Sequence, residues 1–247
     1  MVISLAAEPI AHIGAFPITN SMLVGWVMSV VLIVFGVAAT RSASLLPRGI
    51  HNTFEAVLDL LLKMIDGVTK DRGQSRKIFP LIATMFLFVL AVNWAGLLPG
   101  MGGAVGVLSE HEGKSVIISF IRATSADLNF TLALAIISVF TVQVVGIASI
   151  GFFKYAGKFV NFSSPIAFFV GILEMVSEVA KLVSFSFRLF GNIFAGEVLL
   201  TVMSFLVPYI IPLPFLALEV FVGFIQALVF AMLPLVFLKM GMEEAHH

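Results

Sequence analysis

Five stretches of this chain run for about 20 residues without one charged side chain: Ser21–Ala39, Ile78–Leu98, Leu128–Phe153, Val198–Leu218 and Val220–Leu238. A helix that crosses a bilayer needs about 20 mostly apolar residues, and only helices or closed barrels satisfy their backbone groups in hydrocarbon. Barrel strands need only about 9–11 residues, so runs of this length are read as helices. Composition agrees, because 11% of the residues are charged against roughly 25% in a soluble domain. The expected fold class is an all-α polytopic membrane protein.

The fourth stretch is not a span of its own. It continues from a partly polar helical pattern that begins near Pro165, and Pro208, Pro212 and Pro214 break any helix near its end. The pattern predicts one long helix from about Pro165 to Val207, a turn, and a last helix from about Leu213 to Met240, which makes about five crossings. Between the first two crossings, Phe54, Val57, Leu58, Leu61, Leu62 and Ile65 fall on one helical face and Glu55, Asp59, Lys63 and Asp66 on the other. Such a helix lies in the membrane interface, against partner helices, or on its own protein's surface. With no internal repeat or low-complexity linker, residues 1–247 read as a single membrane domain. Its parts are an N-terminal segment 1–20, a first crossing 21–39, an amphipathic segment 50–77, a helical hairpin 78–153 and a second hairpin 164–240.

Orientation follows from Lys and Arg, which accumulate in cytoplasmic loops. Seven of the fourteen lie in residues 41–77, none precedes Ser21, and the loop from about Pro99 to Asp127 holds only Lys114 and Arg122. The N-terminus is therefore expected outside and the C-terminus in the cytoplasm, with the Pro208–Pro214 turn outside. Several function classes drop away. A net charge of zero leaves no basic footprint for nucleic acid, and the absence of cysteine removes disulfide scaffolds and thiolate sites. No GxxxxGK[ST] or dinucleotide glycine run offers a nucleotide site, and no histidine has ligand spacing, so no cofactor or metal is expected. The first twenty residues lack the Lys or Arg of a secretory signal, so the first apolar stretch is expected to be retained.

The informative anomaly is the segment Glu174–Glu197, EMVSEVAKLVSFSFRLFGNIFAGE. A central Arg or Lys in a membrane helix costs about 2.5–3.5 kcal/mol on insertion scales, so such residues face a bundle interior or a water-filled path. At about 100° per residue, Glu174, Ser177, Lys181, Ser184, Arg188 and Asn192 share one narrow arc centred on Arg188, over roughly 27 Å of helix. Glu178 lies about 80° off that arc and Glu197 on the opposite side, so Glu197 must face something other than what Arg188 faces. Arg188 has no acidic residue at i±3 or i±4, and its counter-charge is expected from another element. In the last helix Glu219 and Gln226 stand two turns apart on nearly one face, in otherwise apolar surroundings. Polar residues of this kind also join helices with no transport role, and that alternative stays open for each taken singly.

These residues resemble a family. SFSFRLFGNIFAGE at 184–197 resembles the signature of subunit a of F-type ATP synthases, and LEVFVGFIQAL, carrying Glu219 and Gln226, resembles that family's last helix. NWAGLLPG at 93–100 and SADLNFTLALA at 125–135 match less closely, while the first ninety residues match in layout only. Phe185 and Phe187 depart from the smaller or aliphatic residues common there. The resemblance implies a stator subunit that is not catalytic by itself, in a bacterial plasma (inner) membrane. Its implied partners are a ring of c subunits, peripheral-stalk b subunits, the catalytic head through the complex, and the lipid bilayer. It implies that the last two helices form a hairpin facing the rotor and that two proton half-channels lead to and from the rotor carboxylates. Arg188 is then the essential arginine. Asn192, Glu197, Glu219 and Gln226, with Asp127, Asn129 and Asn93 near the mouth, belong to the outer path, and Glu174, Ser177, Lys181 and Ser184 to the cytoplasmic one. Guanidinium chemistry fits, because a group with pKa above about 12 attracts a carboxylate and refuses to relay a proton. A secondary transporter would show repeated halves with paired broken helices, and only one such break is present. A proton-path subunit of a respiratory complex, working without a rotor, is the other rival.

Overall fold

The structure, a computed structural model, describes residues 7–13, 16–41, 50–98, 106–111, 114–119, 122–159, 164–207 and 210–244. Pro208 of the expected turn, the last two residues of NWAGLLPG, and His246 and His247 lie outside the described residues. Among the described residues seven helices carry the fold: α1 (Asn20–Arg41), α2 (Ile50–Thr69), α3 (Arg72–Ala95), α4 (Leu128–Ile150), α5 (Phe152–Phe159), α6 (Pro165–Leu206) and α7 (Pro212–Glu244). The chain is an all-α polytopic membrane protein, with one antiparallel strand pair before α1, β1 (Pro9–Ile13) with β2 (Phe16–Thr19), and another between α3 and α4, β3 (Gly106–His111) with β4 (Lys114–Ser119). The sequence reading assigned no strands. These have six residues or fewer and are far too short to cross a bilayer.

Among the described residues four helices, α1, α3, α4 and α7, are long and apolar enough to cross a membrane. α6 has the length, 42 residues or roughly 63 Å at about 1.5 Å per residue, but its charged stripe sets it apart from the purely apolar spans. It is one unbroken helix, as its pattern predicts, started by Ser164, whose side chain accepts from Ala167 N, with Pro165 in the first turn. The boundary between the amphipathic segment and the second span differs from the expected residue 77. α2 ends at Thr69, Lys70 takes a positive φ of 57°, and Asp71 caps α3 by accepting from Gly73 N at 2.8 Å. The physical reason is local, since a capping Asp and a left-handed residue stop one helix and start the next. Arg72, Arg76 and Lys77 thus form the first turns of α3.

The core is shared by α2, α3, α6 and α7: Leu61 and Ile65 from α2, Ile82, Phe86 and Val89 from α3, Leu189 and Ile193 from α6, and Phe230 and Leu235 from α7. α2 therefore lays its apolar face on the protein's own bundle. By contrast, Trp26, Val30, Ile33 and Val34 of α1 and Phe169, Val176 and Val179 of α6 stand exposed. Apolar surface of this extent is what lipid, not water, solvates.

One end of the bundle is tied by polar contacts. Ser21 Oγ donates to Asp127 Oδ2 at 2.6 Å, Thr124 Oγ1 donates to Ser21 O at 3.2 Å, and Ser125 Oγ donates to Asn93 Oδ1 at 2.6 Å. These join the start of α1, the end of α3 and the 3-10 turn Thr124–Ala126 that leads into α4. The C-terminal half of α6 and the N-terminal half of α7 close the same end, where a cavity lined by Asn93, Arg122, Glu197 and Glu219 forms.

Candidate functional site

On α6 the buried face is carried by Phe185, Ser186, Leu189, Phe190, Ile193 and Gly196. Arg188 stands off that face and is exposed. Its Nη2 donates to Ser184 Oγ at 3.4 Å, one turn back, and among the described residues it has no ion pair. The guanidinium is thus displayed on the outside of the bundle. One turn on, Asn192 Nδ2 donates to Gln226 Oε1 at 2.7 Å and ties α6 to α7. Gln226 is 4% exposed, and its Nε2 has no hydrogen-bond partner among the described residues.

On the opposite side of α6, Glu197 opens into a cavity of about 280 Å³ lined also by Asn93, Leu97, Arg122, Ile193, Leu200, Thr201, Ser204, Leu216 and Glu219. Arg122, which is 7% exposed, places Nε at 3.9 Å from Glu197 Oε2. It answers what Glu197 faces when Arg188 faces elsewhere. Glu219 is 6% exposed, with its carboxyl laid against Gly196, where a Cβ would come to 2.0 Å from Glu219 Cδ and Oε1. Only glycine leaves that space. Asn93 reaches the site from α3 and is held twice, donating through Nδ2 to Gly223 O at 3.0 Å and accepting from Ser125. Asp127 and Asn129 do not line the cavity. Asp127 caps α4, accepting from Asn129 N at 3.0 Å and from Ser21, and Asn129 points out to the exterior.

Toward the other end of α6 the stripe divides. Ser184 is exposed beside Arg188, and Glu174 and Ser177 are half-buried. Lys181 leaves the arc to donate to Glu178 Oε1 at 2.7 Å and stands 5.0 Å over the Phe237 ring. Glu178 Oε2 accepts from Gln143 Nε2 of α4 at 2.8 Å, and Tyr155 of α5 donates to Gln143 Oε1. Tyr155 fits because Gly146 presents no side chain there, a Cβ falling 2.7 Å from Tyr155 Cε2. Among the described residues no group of three or more His, Asp or Glu is placed to hold a metal ion.

Asn93, Glu197 and Glu219 are therefore brought to one cavity, Asn192 and Gln226 to one bond beside it, and Arg188 to the outer face. Arg122, Gly196, Gln143 and Glu178 went unassigned in the sequence reading. Arg122 left a faint signal, a lone cation just before SADLN. Gln143 left another, a polar side chain in a stretch of 26 uncharged residues from Leu128 to Phe153. Gly196 left none, since its role depends on a residue of another helix.

The chain is similar to known proteins along most of its length. The family model for the ATP synthase A chain matches residues 22–239. The chain is 30% identical over 229 residues to ATP synthase subunit a of Moorella thermoacetica, covering 93% of each. It is 33% identical to the subunit a of Trichlorobacter lovleyi, over 92% of this chain and 89% of that one. With the subunit a of Campylobacter jejuni it shares 36% identity over 89% of each. With one exposed arginine on α6, a buried carboxyl at Glu219 and a half-buried one at Glu197 in the neighbouring cavity, and matches along nine-tenths of its length, the chain belongs to the ATP synthase subunit a family.

Proposed function

We propose that this chain is the stator subunit that carries protons to and from the carboxylates of a c-subunit ring, coupling their flow to ATP synthesis. The observation that carries the reading is Arg188, an exposed guanidinium with no ionic partner among the described residues. A cation left unpaired at membrane depth is costly, so its counter-charge comes from a partner chain, and a rotor carboxylate is the group that fits. α6 is then the fifth crossing, and α6 with α7 forms the hairpin that faces the rotor. The cavity holding Glu197, Glu219 and Asn93 is the outer half-channel, with Asn192 and Gln226 at its inner end and Asp127 and Asn129 outside its mouth. Glu174, Ser177, Lys181 and Ser184 line the cytoplasmic path. The N-terminus lies outside and the C-terminus inside a bacterial plasma membrane. The peripheral-stalk b subunits and the catalytic head are reached through the complex. The chain performs no catalysis of its own; it routes ions.

Arg188 both attracts the rotor carboxylate and refuses to relay a proton, because guanidinium does not deprotonate in proteins. Arg188→Ala should abolish ATP synthesis and leave a passive proton leak through assembled complex. Arg188→Lys should also fail in coupled transport, since lysine lacks the planar donor fork and loses its proton when desolvated. Leak and synthesis are measured separately on membranes with verified assembly. An assembled Lys variant that makes ATP at near-normal rates would overturn the mechanism.

A further inference from the structure

We infer that Arg122 is a positioning residue of the outer path, acting through Glu197. The inference rests on the proposed role of Glu197 in proton entry. Three observations carry it. The backbone next to Arg122 is fixed, because Ala123 packs where Gly96 has no side chain, with a Cβ at Gly96 falling 2.6 Å from Ala123 Cβ. The guanidinium is anchored at the entry to α4, Nη2 donating to Ala126 O at 3.4 Å. Its Nε then stands 3.9 Å from Glu197 Oε2, a buried oxygen that accepts no hydrogen bond from the described residues.

The direction of the Glu197 carboxyl is thus set by charge rather than by a donor in contact, and the charge comes from a side chain that the 3-10 turn holds still. α6 alone cannot set that direction, because a glutamate on a helix has several rotamers and the cavity leaves room for them. Glu219 lines the same cavity, with its own carboxyl laid against Gly196. Among the described residues, the titratable and charged groups that line the cavity with Glu197 are Arg122 and Glu219. Arg122 carries no proton itself, since guanidinium stays protonated. Its contribution is to keep one carboxyl where an entering proton meets it.

The test is a double-mutant cycle in the intact complex, reconstituted in vesicles: Arg122→Gln, Glu197→Gln and the pair. Proton-driven ATP synthesis is measured as outer-side pH is varied. Arg122→Gln should lower the rate on the order of tenfold to a hundredfold, the scale of a reacting group misplaced by about 1 Å, and move the outer pH of half-maximal rate. The double variant should be no slower than Glu197→Gln alone, because Arg122 has no effect once its carboxylate is gone. A merely structural Arg122 gives losses that multiply. Multiplying losses, or a normal rate and pH profile in Arg122→Gln, overturn the inference. If Arg122→Gln lowers assembly, Arg122→Lys carried through the same cycle decides by the same criterion. Should Glu197→Gln itself leave synthesis unchanged, the outer-path reading fails first; should it slow synthesis while Arg122 proves independent, only the present inference falls.

Discussion

Replacing Gly196 by alanine separates the packing of α6 on α7 from the chemistry of Glu219. A methyl built on Gly196 falls 2.0 Å from Glu219 Cδ and Oε1 and 2.2 Å from Oε2. Nonbonded carbon atoms rest at about 3.5 Å or more, so the carboxyl must retreat by about 1.5 Å. That group is the end of a flexible side chain, and a shift of this kind costs about 0.5–1.5 kcal/mol in rotamer strain. Alanine in a helix interior gains about 0.8–1.0 kcal/mol over glycine, so the two terms nearly cancel. Gly196→Ala should therefore assemble at wild-type levels. Its transport should not survive so well, because a misplacement of about 1 Å at a reacting group can cost on the order of a hundredfold. Complex is quantified in membranes by its subunit content, and proton-driven ATP synthesis is then normalised to it. Adding Glu219→Asp, which withdraws the carboxyl by one methylene, should recover part of the rate. Wild-type transport in assembled Gly196→Ala would refute the argument, as would loss of assembly with Glu219→Asp giving no relief.

Three further outcomes follow from the same geometry. Glu219→Gln keeps size and hydrogen-bonding capacity but removes the titratable group, so assembly should stand while ATP-driven pumping and proton-driven synthesis both slow; normal rates across the accessible pH range would remove Glu219 from the path. Asp127→Ala removes the α4 cap and the Ser21 contact, which should destabilise the subunit by about 1–3 kcal/mol and show as a lowered melting temperature of the detergent-solubilised complex, whereas an unchanged one would deny the cap its role. A reporter fused after Met240 should be cytoplasmic and one inserted near Leu213 external, and the reverse would undo the assignment of the two half-channels.

Much of this architecture was legible in the sequence because helical periodicity is local. Apolar runs of about 20 residues declare spans, a polar arc at 100° per residue declares which side chains share a face, and the Pro208–Pro214 cluster declares where one helix must end. The unbroken α6, the nearby positions of Glu219 and Gln226 on α7, and the separation of Arg188 from Glu197 all come from that rule. What it leaves open is how each helix is rotated and how deeply it sits against its neighbours, which depends on the packing of distant residues. Tertiary structure therefore decided that Gly196 receives the Glu219 carboxyl, that Glu197 meets Arg122, and that Lys181 donates to Glu178, whose other carboxyl oxygen accepts from Gln143 of α4. It also made Asp127 a helix cap held by Ser21, 106 positions away in the chain. The polar arc on α6 was set by residue spacing within one helix; the groups that meet the polar side chains of α6 were set by the packing of α4, α7 and the turn before α4.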